Sequence, residues 1–332
     1  MEYIKLGNTG LDVSRICLGC MSFGDINSGF NQWAISDDQS EAIIKRALEL
    51  GVNFFDTANV YSAGTSEEVL GRALKKYADR DKVVIATKVY FKMHDGPNGS
   101  GLSRKAIFSE VEKSLKRLQT DYIDLYIIHR WDYNTPIEET MEALHDLVKQ
   151  GKVRYIGASA MYAWQFQKAQ YVAEKNGWTK FVSMQNHYNL IYREDEREMI
   201  PFCVESKIAL TPYSPLASGR LAKNPEETSL RLEVDKTAIR KYGSSSEVDR
   251  PIIDRVGELA EKYGVPRAHI SMAWLWSRPG VASPIVGATK LQHLEDAVAA
   301  LSVKLTLEDC LYLEEPYTPH SLVGLIPFEF NR

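Results

Sequence analysis

The feature that most constrains this chain is an alternation. From Ile16 onward, short runs rich in Val, Ile, Phe and Tyr are each followed by a longer amphipathic segment, and the pair recurs eight times. A short apolar run fits a buried strand, an amphipathic segment fits a helix laid over it, and repeated alternation of the two implies a parallel sheet. The strands read as residues 16–20, 53–56, 83–88, 123–129, 155–159, 182–185, 209–213 and 283–286. The helices read as 37–50, 66–77, 103–118, 136–150, 163–176, 194–205, 267–277 and 290–301. In the first of these, Ala42, Ile43, Ala47, Leu48 and Leu50 recur at helical spacing before Gly51 stops the helix.

Eight units in strict order favour an α/β fold of the (β/α)8 TIM barrel type, one domain over residues 1–332. The competing architecture is a doubly wound open sheet, against which stands the absence of a Gly-rich dinucleotide fingerprint after the first strand. Three pieces lie outside the repeat. An N-terminal β-hairpin is expected from residues 3–6 and 11–13 around Gly7-Asn8-Thr9-Gly10. A long insertion, 216–263, is polar and helix-poor in its early half, and its stretch 241–246 reads as mobile. The tail from Thr306 reads as extra helix and loop, with an apolar end at Phe328 and Phe330. Loops of this size on a barrel are expected to act as lids.

Composition excludes several classes. With 332 residues, 44% hydrophobic and 25% charged, the chain is that of an ordinary globular protein able to bury a large core. A net charge of −4 and no concentrated Lys/Arg patch argue against nucleic acid and anionic membrane as partners. The first residues lack a signal-peptide layout, and no run of about 18 apolar residues is available to cross a bilayer, so a cytoplasmic location is expected. Four cysteines are too few for a disulfide scaffold. Cys17 and Cys20 match C-x-x-C, but in a strand, positions three apart point to opposite faces, and Cys203 and Cys310 are isolated, so no metal site is expected.

In a barrel of this type the reactive groups stand at the carboxyl ends of the strands. Asp56 ends the second strand and is followed by Thr57-Ala58-Asn59-Val60-Tyr61; Lys88 ends the third and His129 the fourth. Ser159, Gln185, Tyr213 and Ser214 end the next three. Singly each has an ordinary explanation as a loop or core residue, but Asp, Tyr, Lys and His on three consecutive strand ends converge on one mouth. The chemistry that fits is general-acid reduction of a carbonyl. A tyrosine of ordinary pKa ~10 is a poor proton donor near neutrality unless a cation stabilises the developing phenolate, which Lys88 can supply. Desolvation would strip the lysine of its charge unless Asp56 offset it. His129 is then placed to orient the carbonyl oxygen.

These residues carry a family pattern. The runs Leu18-Gly19-Cys20-Met21-Ser22-Phe23-Gly24, Phe54 to Tyr61 and Pro284-Ile285-Val286-Gly287-Ala288-Thr289 make the chain resemble the aldo-keto reductases over nearly its whole length. The segment from His129 to Glu139 looks like bacterial and fungal members related to the potassium-channel β-subunit branch. The resemblance implies a barrel that binds NADP(H) in extended form, with Asp56, Tyr61, Lys88 and His129 as the catalytic tetrad and Tyr61 as the acid. For the cofactor it implies Ser159 and Gln185 on the carboxamide, Tyr213 under the nicotinamide, and Ser214, Pro215, Leu216, Gly219 and Arg220 over the pyrophosphate. Gly287, Thr289 and Lys290 fall at the adenosine phosphate, and Gly19, Met21, Asp56 and His293 complete the set. A helix N-terminus near Lys290 is independently a good anion site. Ala160, His293 and Ala297 depart from residues the family often carries there. Trp33, Tyr90, Trp131 and Met21 are read as an apolar substrate wall.

Three functions stay open on the sequence. The first is an NADPH-dependent reductase of small-molecule aldehydes or ketones. The second runs the same chemistry in reverse, as an NADP-dependent dehydrogenase of a sugar or alcohol. The third is a cofactor-binding, redox-sensing regulatory subunit, disfavoured by the complete tetrad and by the lack of a long segment before the barrel. Whether the chain acts as a monomer or a homo-oligomer is equally open.

Overall fold

The computed structural model describes residues 1–29, 31–227 and 234–327. Strand β1 (Tyr3–Lys5) pairs antiparallel with β2 (Asp12–Ser14), forming the expected hairpin. Its Leu6 and Val13 are fully buried in the same inner cluster as Phe54, Val84, Leu125 and Ala209, so the hairpin closes the amino end of the sheet.

The remaining strands are β3 (Cys17–Gly19), β4 (Phe54–Asp56), β5 (Val84–Val89), β6 (Ile123–Ile128), β7 (Val153–Ser159), β8 (Ser183–Gln185), β9 (Ala209–Leu210) and β10 (Ile285–Gly287). They form one parallel eight-stranded sheet in the order β10-β3-β4-β5-β6-β7-β8-β9. The sheet also meets itself: Leu210 bridges Val281, and the Ile285 N–H donates 2.8 Å to the Pro212 oxygen. The result is the (β/α)8 barrel.

Helices α1 (Asp37–Glu49), α2 (Thr65–Tyr77), α3 (Arg104–Leu118), α4 (Ile137–Lys149), α5 (Ala163–Asn176) and α6 (Met199–Glu205) follow β3 to β8 in turn. After β9 come α7 (Lys236–Tyr242), α8 (Ser246–Tyr263) and α9 (Arg267–Trp276); after β10 come α10 (Leu291–Ala299) and α11 (Leu307–Glu314). Local chemistry explains the boundaries. Ser36 and Gln39 form a capping box on α1, and Thr306 caps α11. None of these helices is long and apolar enough to cross a membrane.

The two-residue period of the strands sorts side chains into two clusters. Phe54, Val84, Ala86, Leu125 and Ile127 fill the barrel, whereas Phe55, Ile85, Tyr126 and Ile128 meet the helices. Cys17 belongs to the inner cluster and Cys20 to the outer; both are free and buried.

Four details differ from the sequence reading. The stretch 241–246, expected to be mobile, is the junction of α7 and α8 through one 3-10 turn, Gly243–Ser245. Its polar composition is overruled because Tyr242 is buried, bonded to His187 Nε2 at 2.6 Å, and Ser245 donates 2.6 Å to Asp249. The sixth helix breaks at Glu198 (φ −143, ψ −51) into a 3-10 turn and α6, which puts Pro201 in a first turn, where its missing N–H costs nothing. Strand β9 ends at Leu210, since Pro212 lacks a ladder donor, although Tyr213 still bridges His187. Strand β10 runs one residue beyond the expected end, to Gly287. Phe328 and Phe330 lie outside the described residues.

Candidate active site

Register places the first groups. Asp56 stands opposite Ala86, so Lys88 lies one pleat pair, about 7 Å, further along the inner face. Lys88 in turn stands opposite Ile127, and His129 comes two residues later on that face. The same period turns Ser159 and Gln185, which are paired, inward from β7 and β8.

Lys88 is the hub. Its ammonium, fully buried, donates 2.5 Å to Asp56 Oδ1, 2.8 Å to the Thr57 carbonyl and 3.1 Å to the Tyr61 hydroxyl, which uses all three of its protons. The other carboxylate oxygen of Asp56 accepts 2.9 Å from Gln185 Nε2. Burial alone would lower the lysine's pKa, but the charges of Asp56 and Tyr61 and its bonds to both outweigh that and leave it above the usual value. Burial likewise raises Tyr61 above its ordinary 10, with Lys88 pulling down and Asp56 pushing up. The phenol is therefore protonated at neutral pH.

Tyr61 is delivered by a strained turn. Ser62 (φ 47) and Ala63 (φ 55) are both left-handed, a conformation that costs roughly 1–2 kcal/mol for a residue bearing a Cβ. Such strain persists only where surroundings over-determine it. Here Ser62 Oγ donates 3.0 Å to the Phe23 carbonyl, and Thr65 Oγ1 donates 2.8 Å back to Ser62. Gly64 (φ 97) has the Arg117 side chain where a Cβ would stand, 2.9 Å away. Arg117 is anchored by buried Glu67 at 2.6 Å, which also accepts 2.5 Å from Thr87, the residue before Lys88.

His129 completes the arc. Its ring meets Tyr61 edge-on at 5.9 Å and Phe91 at 4.8 Å. Burial, then the charges of Lys88 and Arg130, hold its pKa well below 6.5, so it is a neutral imidazole. Nδ1 is buried and has no hydrogen-bond partner among the described residues.

The other candidates are spread around the rim. Ser159 Oγ donates 2.9 Å to the Gln185 carbonyl, and Ala160 beside it is left-handed (φ 46). Tyr213 stacks on His187 at 5.1 Å, and Lys241 Nζ lies 4.3 Å from its ring centre. In the following loop Ser214, Ala217 and Ser218 have φ of 55, 48 and 58, and Gly219 has φ 103. Pro215 is buried, Leu216 is half-buried, and Arg220 lies over Tyr242 at 5.0 Å. Gly19 packs against Ile285, whose Cγ2 sits 2.7 Å from where a Cβ would be, and Met21 is half-buried beside it in sequence. Gly287, Lys290 and His293 are exposed, and Thr289 Oγ1 lies 3.5 Å from His293 Nδ1. Lys290 is the N-cap of α10, whose first turn carries no side-chain cap among the described residues.

Of the apolar wall, Trp33 is 8% and Trp131 7% exposed, and Tyr90 is half-buried. Trp131 packs against Trp164 at 6.0 Å and lines an outer cleft of about 460 Å³ with Asp132, Glu138 and Lys168, in which no member of the tetrad stands. The tail crosses the mouth instead: Tyr133 donates 3.1 Å to the Ile326 carbonyl, Val323 N–H donates 3.0 Å to Tyr192, and His320 Nε2 meets Asp249 at 2.8 Å. The sequence reading missed Phe91, Arg130 and the Glu67–Arg117 pair. Arg130 carried a signal, a charge immediately after a strand end; the others carried none without the register.

A parallel barrel with an Asp-Tyr-Lys cluster at its carboxyl mouth is an oxidoreductase scaffold, and comparison with known proteins gives the family. The profile described as Aldo/keto reductase family matches residues 15–317, and the chain belongs to that family. It is 46% identical to a versiconal hemiacetal acetate reductase of Aspergillus parasiticus, with 97% of this chain and 98% of that protein aligned. It is 46% identical to the aldo-keto reductase dtxS3 of Metarhizium robertsii over 98% of this chain and 93% of the relative. It is 44% identical to a putative aryl-alcohol dehydrogenase of Schizosaccharomyces pombe over 98% of both. The chain is thus an oxidoreductase of the carbonyl/alcohol class.

Proposed function

We propose that this protein reduces small-molecule aldehydes or ketones to alcohols with NADPH, Tyr61 acting as the general acid. The observation that carries the reading is the buried Lys88 ammonium, bonded at once to Asp56 and to the Tyr61 hydroxyl. The nicotinamide, when bound, supplies the hydride; the chain's own residues handle the proton. Tyr61 releases its proton to the carbonyl oxygen, and the phenolate left behind is stabilised by Lys88 3.1 Å away. Asp56 keeps that lysine charged. The neutral His129, protonated on one ring nitrogen, donates from it to the same carbonyl oxygen and orients it.

The residues present fit an extended dinucleotide. Ser159 and Gln185 offer amide-binding groups on the inner face, with Tyr213 beside them. Tyr213 would offer its ring face to the nicotinamide when the cofactor is bound. The loop after Ser214 spends the N–H groups of Ala217, Gly219 and Arg220 on its own turn bonds, so its serine hydroxyls and the Arg220 guanidinium would be the groups that meet the pyrophosphate. Lys290 at the uncapped start of α10 suits the extra phosphate of NADPH. Free, buried cysteines fit a reducing, cytosolic compartment.

The reverse reaction uses the same groups, with Tyr61 as base, and the aryl-alcohol dehydrogenase name of one relative points to it; the reductase names of the others favour reduction. The test is NADPH oxidation with a panel of aldehydes and ketones, beside Tyr61→Phe. Turnover that falls by about 10²-fold or more in the variant supports the reading; turnover retained in Tyr61→Phe removes Tyr61 as the acid.

A further inference from the structure

The mouth holds a cation that the proton and hydride chemistry above does not use. Arg130, half-buried, follows His129 at the end of β6. Its Nη1 donates 2.5 Å to the His129 carbonyl, and its guanidinium carbon lies 5.4 Å from the Phe91 ring centre. Among the described residues it makes no other hydrogen bond and pairs with no carboxylate. A guanidinium is charged at all ordinary pH and carries five N–H donors, so four remain here. The contrast within the chain is sharp. Arg80 meets Asp124 at 2.7 Å, Arg117 meets Glu67 at 2.6 Å, and Arg193 and Arg278 both meet Glu314, at 3.2 and 2.6 Å. Arg130 has no such partner among the described residues; the half-buried Arg15 and Arg267 have none either, but Arg15 spends its guanidinium on the carbonyls of Val281, Ala282 and Trp276, whereas Arg130 makes one bond, at the end of a barrel strand.

Its surroundings say where it points. Burial pushes Tyr61 and Tyr213 up and His129 and His187 down, and the Arg130 charge opposes the first effect and adds to the second. Its placement rests on contacts: the bond to the His129 carbonyl at the end of β6, and the Phe91 ring, which itself meets His129 at 4.8 Å. Phe91 and Tyr90, in edge contact with each other, bring aromatic surface beside it.

We propose that Arg130 is a specificity-determining residue and that it binds a carboxylate carried by the carbonyl substrate. The inference rests on the reductase reading and names its substrate class: oxo acids whose acidic group makes a charge-assisted, bidentate contact with the guanidinium. A cofactor phosphate is the other source of the same chemistry. The sheet order argues for the substrate, because β6 is four strands from β10, whose loop carries Lys290, and three from β9, whose loop carries Ser214 to Arg220. The nearest acidic residues in sequence are engaged elsewhere: Asp132 accepts from the Leu102 and Asn134 N–H groups and from Thr135 Oγ1, and Asp124 pairs with Arg80.

The experiment compares kcat/KM for ortho-, meta- and para-carboxybenzaldehyde with that for benzaldehyde, in the natural chain and in Arg130→Met and Arg130→Gln. NADPH affinity is measured for all three proteins by fluorescence titration. The ratio of the best carboxylated aldehyde to benzaldehyde falls about 10- to 100-fold in both variants if the guanidinium holds the carboxylate. A ratio that moves less than about threefold overturns the proposal. So does a loss confined to NADPH affinity, which would assign Arg130 to a cofactor phosphate. If no aldehyde turns over, the reductase reading fails separately. Terephthalate titrated against the NADPH-loaded protein then decides Arg130: binding lost in both variants supports the site, and equal or undetectable binding in all three proteins overturns it.

Discussion

The two sides of the barrel mouth are built differently. On the side of β4 to β6, Asp56, Tyr61, Lys88 and His129 are each at most 8% exposed, and the chain neighbours Ser62 and Thr87 bond back to Phe23 and to Glu67, which Arg117 holds in turn. On the side of β9 and β10, Ser214 to Arg220 and Gly287 to His293 are largely half-buried or exposed. Reacting groups have to be held to fractions of an ångström before substrate arrives, whereas a long flexible cofactor can be gripped by a cradle it helps to complete. The difference predicts that damage to the first side disrupts the fold along with the chemistry, and that damage to the second disrupts binding alone.

The largest expected effect is that of Lys88→Met. It leaves the buried Asp56 carboxylate unpaired, which should lower stability by about 3–5 kcal/mol in urea unfolding and abolish turnover. A variant as stable as the natural chain would mean that the buried pair is not what organises this side.

Next comes the pH dependence of stability. His129 and His187 are buried and both held well below their ordinary 6.5, chiefly by desolvation. As pH falls through 6.5 the unfolded chain takes up protons that the folded one refuses, so stability is full above that value and is lost below it. The loss is up to about 1.4 kcal/mol per pH unit per histidine. Replacing His129 with Gln should flatten part of the slope in the urea midpoint; an unaltered slope would show that its imidazole already charges in the native state.

The smallest effect belongs to the open side. Lys290→Ala should weaken NADPH about tenfold, a single charge-assisted contact, and NADH hardly at all, with the urea midpoint within about 0.5 kcal/mol of the natural chain. Equal loss of both cofactors would remove Lys290 as the reader of the phosphate.

The same contrast governs what the sequence disclosed. Hydrophobic alternation located the strands because a strand buried on both faces has no other composition, and polar residues at their ends stood out against that background. Asp56, Lys88 and His129 were legible for this reason, each ending an apolar run. Arg130 was visible but ambiguous, since a charge after a strand usually faces solvent; only the absence of a partner gives it meaning. The pairing of Gln185 with Asp56, and of Arg117 with Gly64, depends on elements 129 and 53 residues apart, set by strand register and helix packing. The stretch 241–246 misled because Gly and Ser dominate it while one residue, Tyr242, determines its conformation through burial. The break at Glu198 falls where five charged residues, Glu194 to Glu198, give way to the apolar run from Met199, and both pieces are compatible with helix in the sequence.

The central claim is that Tyr61, held by Lys88, gives its proton to a carbonyl as hydride is transferred. The most direct test is single-turnover hydride transfer, read as the burst of NADPH oxidation on mixing the loaded protein with an aldehyde. The account predicts that Tyr61→Phe slows the burst by about 10²-fold or more while the amplitude and NADPH affinity are retained. A burst of unchanged rate would contradict it and place the proton donor elsewhere in the mouth.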